Sequence, residues 1–161
     1  MNRSKLYCPY LATSNRFALD TQQEFLGLTD TTVLFDNEQP EDLRYILGLL
    51  NSRLLTFRFR YIGKLKSGGI IEYFWNSISK LRIRRIDFSA PTDKVRHDQM
   101  IQLVDRMLDL NKRIPGAQNA QEKTAIQRQM EATDQQIDRL VYELYELTDN
   151  EVAIVEAGGQ H

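Results

Sequence analysis

From Ile126 to Leu147 the positions Ile126, Met130, Thr133, Ile137, Leu140, Leu144 and Leu147 step alternately by four and three residues. A repeat of that kind is satisfied by a long α-helix packed along one stripe, and by little else. Upstream, Ile101, Val104, Leu108 and Asn111 form one helical stripe, with Met100, Leu103, Met107, Leu110 and Ile114 beside it. Two adjacent stripes imply a helix that packs on more than one neighbour. The two segments are separated only by the short connection Ile114 to Asn119, which contains Pro115-Gly116. The expected arrangement is therefore an antiparallel, coiled-coil-like hairpin whose longer arm spans roughly 40 Å. A third short helix, Asp149 to Glu156, is expected to fold back on its end. The seam has two uses open to it: a spacer or docking arm, or a homodimer contact through Ile137 and Leu144.

The first ninety residues carry a different pattern. KLYCPYLA reads as a strand broken near Pro9, RFALD as a short extended piece, and TTVLF, bounded by Asp30 and Asp36-Asn37, as a second strand. Pro40, Glu41 and Asp42 suit a helix first turn. Leu43, Ile46, Leu47, Leu50, Leu54, Phe57 and Tyr61 then recur at helical spacing, giving one helix about five turns long up to Gly63. After the Ser67-Gly68-Gly69 turn, IIEYFW reads as a strand. KLRIRRID reads as another, with Leu81, Ile83 and Ile86 on one face and Lys80, Arg82 and Arg84 on the other. The fold class is α+β: a small mixed sheet with one packed helix in 1–90, a helical hairpin in 91–157, and a flexible tail in 158–161.

Charge is divided as sharply as structure. Between Arg53 and Arg85 nine basic residues face the single acid Glu72, whereas from Glu131 onward eight acids face only Arg139. A net charge of −1 conceals this polarity, and a basic middle is what a polyanion-binding segment requires. The lone Cys8 excludes an internal disulfide framework, and no apolar run reaches the length of a membrane span. A cytoplasmic protein without a membrane anchor is expected. Catalytic raw material is sparse. His97 and His161 are far apart, Cys8 lacks a base partner, and Ser67-Gly68-Gly69 lacks the Gly-Lys-Ser/Thr ending of a phosphate loop. The chain is expected to be non-catalytic, with no cofactor or metal of its own.

YILGLLNSRLLTFRF, SGGIIEYF, KLRIRRID, RHDQMIQLVDRMLDLNKR and ATDQQIDRLVYELYELTDNEV follow in that order. In this succession the chain resembles, from about Lys5 to Glu156, the TaqI-like C-terminal specificity domain of fused type II restriction–modification enzymes. The resemblance implies a target recognition domain that reads duplex DNA for an adenine methyltransferase and its attached endonuclease. The Asn-Pro-Pro-Tyr type motif and cofactor strand–loop of the methyltransferase portion are absent from the sequence, as is the nuclease motif. S-adenosylmethionine and Mg²⁺ are accordingly expected in methyltransferase and nuclease domains of the same polypeptide or complex. Met1 is expected to cut into the recognition domain, because further strands usually precede it. Type I specificity subunits share the plan of a recognition module followed by a long helix, so a free-standing subunit of that type is an alternative. A protein-interaction module that assembles subunits through the hairpin is another.

Lysine and arginine neutralise phosphates, and a guanidinium can also read guanine through two hydrogen bonds. Lys64, Lys66 and Ser67, on a glycine-containing loop that permits close approach, are the leading candidates for DNA contact together with Arg82 and Arg84. Arg58, Arg60 and Arg85 come next. Pairing with Glu72, Asp87 or an acidic neighbour is the alternative for each. Tyr73, Phe74 and Trp75 are expected in the core rather than stacked on bases, and Asn51-Ser52 to cap or bridge a neighbouring backbone. Arg16 is a lone loop arginine.

Overall fold

The computed structural model describes residues 4–22, 30–35 and 39–158. The Asp36-Asn37 strand boundary, His161 and most of the expected tail lie outside them. Strands β1 (Lys5–Pro9), β3 (Ala18–Asp20) and β4 (Thr31–Phe35) form one antiparallel sheet in the order β3-β1-β4. A second antiparallel sheet, in the order β2-β6-β5, joins β2 (Leu11–Ala12), β5 (Lys64–Leu65) and β6 (Ile71–Glu72). The α+β class holds, with two small antiparallel sheets in place of the expected mixed one. Leu6 and Cys8 alternate inward along β1, as the two-residue period of a half-buried strand requires.

The helix expected from Leu43 to Tyr61 is two helices, α1 (Leu43–Asn51) and α2 (Arg53–Ile62). The break has neither proline nor glycine behind it. Ser52 is extended (φ −65°, ψ 157°), and its hydroxyl both donates to the Leu49 carbonyl (2.7 Å) and accepts the Leu55 N–H (3.3 Å), capping α2. The Arg53 N–H, a second orphan donor of the new helix, reaches Asp138 Oδ1 at 2.9 Å. Asn51 turns outward and bridges the Phe17 backbone, accepting its N–H at 2.8 Å and donating to its carbonyl at 2.9 Å. Asn15, itself held by the Tyr73 hydroxyl (2.9 Å), donates to the Leu50 carbonyl at 2.5 Å. The bridging and capping roles expected of Asn51-Ser52 are present, and they are what ends the first helix.

Helix α4 (Pro91–Arg113) begins with proline at its first turn, and α5 (Ala120–Leu144) follows the short connection. Asn119 caps α5 through the Glu122 N–H (2.8 Å), while Glu122 reaches back to the Gln118 N–H (2.9 Å). The double stripe of α4 packs against both α1 and α5. Gly48 permits the first contact: a β-carbon there would lie 2.4 Å from Met100 Sδ and 3.0 Å from Val104 Cγ2. Along the seam Ile126, Thr133, Ile137, Leu140 and Leu144 are buried, with Met130 and Leu147 half-buried. Ile137, Leu140 and Leu144 join the same apolar cluster as Leu6, Leu47, Leu55 and Phe59, so one core runs from the strands into the helical pair. Helix α6 (Asp149–Gly158) folds back onto α2, where Arg53 meets Glu156 and Arg60 donates to the Gly158 carbonyl.

KLRIRRID joins neither sheet; residues 82–87 have no regular secondary structure and no strand partner among the described residues. Their backbone is satisfied by side chains instead. The Tyr145 hydroxyl donates to the Arg82 carbonyl (2.8 Å) and accepts the Arg84 N–H (3.1 Å), and Tyr45 donates to the Arg84 carbonyl (2.9 Å). Glu41 accepts the Ile86 N–H (3.0 Å) and Asp93 the Asp87 N–H (3.1 Å). The expected apolar face survives: Leu81 and Ile86 are buried and Ile83 packs against the core. IIEYFW also departs from expectation, because only Ile71–Glu72 enter the ladder before the short helix α3 (Trp75–Ile78) begins.

Burial pushes the carboxyl of Asp138 up to about 6 from an ordinary 3.8, against the opposing pull of the Arg53 N–H. Because the folded value is raised, the stability this group contributes is full below about pH 4 and is lost as pH rises through about 6. Asp138→Asn retains an acceptor for Arg53 and cannot ionise. Between pH 4 and 7 the stability of the variant should gain on the wild type by up to about 3 kcal/mol, read from denaturant midpoints at each pH. Parallel stability–pH curves would contradict this.

Candidate nucleic-acid interface

The basic residues singled out in the sequence fall into two groups once folded. The first surrounds the β5–β6 hairpin. Lys64 lies on β5, Lys66 just beyond it, and Ser67–Gly69 form a tight turn that the Lys66 N–H closes by donating to the Ile70 carbonyl (2.7 Å). Gly68 and Gly69 take φ of +74° and +73°, a backbone region costly for other residues, and the space beside both α-carbons is open. Ser67 is exposed at the tip, and Lys64 and Lys66 are exposed on the strand leading to it. Both lysines lean on Glu72, at 3.8 Å and 2.7 Å, and Tyr10 donates its hydroxyl to the same carboxylate at 3.1 Å. The hydrogen bond from Lys66 holds the Glu72 carboxyl below its ordinary range despite partial burial, and the same contact raises the Lys66 ammonium. Arg58 on α2, Lys80 and Arg82 are exposed and make no side-chain ion pair among the described residues.

The second group has internal work. Arg84 donates to the Leu144 carbonyl (3.2 Å), the Arg85 carbonyl and Asp93 (3.2 Å), tying the 82–87 segment to the end of α5 and the start of α4. Arg85 meets Glu41 at 2.7 Å. Burial opposes ionisation of Glu41, but Arg85 and the Ile86 N–H outweigh it and hold the carboxyl below its usual range. Arg60 is bound to the carbonyl of Gly158 at 2.6 Å. The alternation of Lys80, Arg82 and Arg84 therefore does not make one basic face, because Arg84 turns inward to carbonyls that no strand partner satisfies.

The aromatic run departs from expectation as well. Tyr73 is fully buried and stacks on Phe59 with ring centres 4.5 Å apart. Phe74 and Trp75, expected in the core, are 46% and 66% exposed. The in-out alternation runs on from Ile71 through Tyr73 and puts Phe74 on the outer side, and α3, which starts at Trp75, leaves the next ring outside as well. The structural roles of Glu41, Tyr45 and Tyr145 had no sequence signal beyond their proximity to apolar residues. Their partners are backbone groups, and backbone groups leave no trace in composition.

Cys8 and His97 both lie in the interior. Cys8 is buried, and burial raises its thiol to about 12, far from the thiolate a nucleophile needs. His97 sits between Tyr45 and Phe88, with ring centres at 5.2 Å and 5.1 Å, and accepts the Asp42 N–H at 3.2 Å. With Nε2 accepting, the ring proton lies on Nδ1, which faces Asp98 at 3.1 Å. Among the described residues no cluster of three or more His, Cys, Asp or Glu could hold a metal ion, and no helix is long and apolar enough to cross a membrane. Arg16 is exposed on the loop before β3.

No family model matches the chain. It is similar to the type II methyltransferase M.HincII of Haemophilus influenzae, with 29% identity over 112 residues, covering 66% of this chain and 22% of that protein. It is similar to the same extent to the type II methyltransferase M.HindII of Haemophilus influenzae strain Rd, of which it covers 21%. The chain thus spans about a fifth of the length of the curated relatives it matches, and its similarity is to one part of restriction–modification methyltransferases.

Proposed function

We propose that the chain is a sequence-specific duplex-DNA recognition module, the specificity portion of a type II restriction–modification enzyme. The observation that carries this reading is the exposed β5–β6 hairpin. Two exposed lysines lead into a turn with open space at its glycines, and Arg58, Lys80 and Arg82 are further exposed cations with no ion pair among the described residues. Type II methyltransferases act on DNA, and the chain is similar to about a fifth of such an enzyme. In this reading Lys64, Lys66, Arg58 and Arg82 meet phosphates, Ser67 and the turn backbone approach a groove, and Arg60, Arg84 and Arg85 are engaged in contacts within the chain. S-adenosylmethionine and Mg²⁺ are held by methyltransferase and nuclease portions of a longer enzyme, which are also the protein partners of this module. Burial of Ile137 and Leu144 within the chain's own core favours a spacer or docking arm over a homodimer contact through that seam.

The rival reading is a protein-interaction module, in which the basic surface docks an acidic partner. Salt dependence separates the two. Each phosphate contact contributes about 0.9 to the slope of log K against log salt. Replacing Lys64, Lys66 and Arg82 together by alanine should weaken duplex binding across sequences and flatten that slope by roughly 2 to 3, measured by anisotropy of a labelled duplex. An unchanged affinity and slope would sink the assignment of this surface.

Glu72 gives a complementary test, because it is the acid that both lysines lean on. Glu72→Gln removes a negative charge from the middle of the surface and releases Lys66. Duplex binding by that variant should tighten at low salt and fall more steeply as salt rises. Weaker binding would mean that Glu72 holds the hairpin in a shape the contact needs, and that the lysines do not act as free charges.

A further inference from the structure

Phe74 and Trp75 are the one feature of the basic surface that phosphate neutralisation does not use. Two adjacent rings, 46% and 66% exposed with centres 6.3 Å apart, stand at the start of a four-residue helix. They are physically continuous with the lysine hairpin. Lys66 contacts Glu72, Tyr10 donates to the same carboxylate, and the Tyr10 ring meets Phe74 edge-on at 6.4 Å. Leu11 and Leu65, on the strands flanking Glu72 and Ile71, are also exposed. The result is an aromatic and aliphatic patch with cations on its border, at Lys64 and Lys66 and, five residues past Trp75, at Lys80.

Apolar area of this kind is normally buried against something. Its cationic border limits what that is. An acidic protein surface would satisfy the lysines, but it would need an apolar patch of its own to cover the ring faces. A nucleic acid offers both a phosphate line and flat π faces at a fixed spacing from it. In an undistorted duplex those faces are hidden by stacking, so the rings can engage only a base exposed at a kinked or unstacked step, as apolar wedges in other DNA-bending proteins do.

Building on the DNA-recognition reading above, we infer that Phe74 and Trp75 form a stacking surface for an unstacked nucleobase, so that the DNA is locally opened where this module binds. Lys64 and Lys66 fix the phosphates beside the opened step, and Trp75, as the more exposed ring, lies against the base. The site takes a base face of any sequence, which separates it from groups that read base edges.

Trp75 is the only tryptophan in the chain, so its emission, excited beyond the tyrosine band, reports on this position alone. The 161-residue chain is titrated with a fully paired duplex and with the same duplex carrying one unpaired base, while anisotropy of a dye on the DNA reports binding independently. The expected result is tighter binding of the bulged duplex, quenching of Trp75 emission, and a loss of about tenfold in affinity for that duplex in Trp75→Ala. The salt slope should be unchanged, because the ring carries no charge. Equal binding of both duplexes with undisturbed emission, and an unaffected Trp75→Ala, would overturn the stacking assignment while leaving DNA recognition standing. No binding of either duplex at low salt would overturn both. A shift of Trp75 emission on adding the catalytic part of a type II methyltransferase, without DNA, would instead assign the patch to a protein contact and overturn the inference.

Discussion

The break between α1 and α2 at Ser52 governs the rest of the structure. An uninterrupted helix from Leu43 to Tyr61 would project α2, and the hairpin that follows it, in another direction. Three separate segments hold the break open. Asn15 and Phe17 bind from the N-terminal loop, Asp138 from α5, and Ser52 from the break itself. Each net hydrogen bond contributes about 1 kcal/mol. The cost of leaving several buried donors and acceptors unpaired would be larger, so the arrangement is cooperative. Asp138 shows what it takes: a buried carboxylate whose ionisation burial disfavours, kept where the Arg53 N–H needs an acceptor.

A second network follows from the same core. Residues 82–87 make five backbone hydrogen bonds to side chains from three directions, with Tyr145 on one side, Tyr45 and Glu41 on another and Asp93 on the third. This segment sorts the arginines. Arg84 and Arg85 face the carbonyls and carboxylates that hold it, whereas Arg82 is left on the outside. The charge excess of the middle of the chain is thus partly structural, and the surface available to a polyanion is smaller than the sequence count suggests.

The long-range periodicities were legible in the sequence. The seam from Ile126 to Leu147, the double stripe on α4 and the inward alternation of β1 all follow from residue spacing, because spacing determines which side chains share a face. Two kinds of feature were not. The helix break depends on Asn51 and the Arg53 N–H finding partners at Phe17 and Asp138, which are distant in sequence and are chosen by packing. The fate of KLRIRRID depends on tyrosine hydroxyls and carboxylates replacing a strand partner, and its alternating pattern is equally consistent with either outcome. At the candidate interface the lysine hairpin was legible through its glycines. The exposure of Phe74 and Trp75 was not, because apolar content shows neither that Phe74 falls on the outward side of the 71–74 alternation nor that a four-residue helix starts at Trp75.

In the proposed reading DNA lies on the β5–β6 hairpin, α3 and Arg82, and away from the acidic helical pair. Mapping amide chemical-shift changes on an isotope-labelled chain titrated with duplex DNA tests this most directly. The expected perturbations cluster at 64–69 and 74–82, with 120–144 unmoved. Perturbations concentrated along 120–144, with the hairpin silent, would contradict the account.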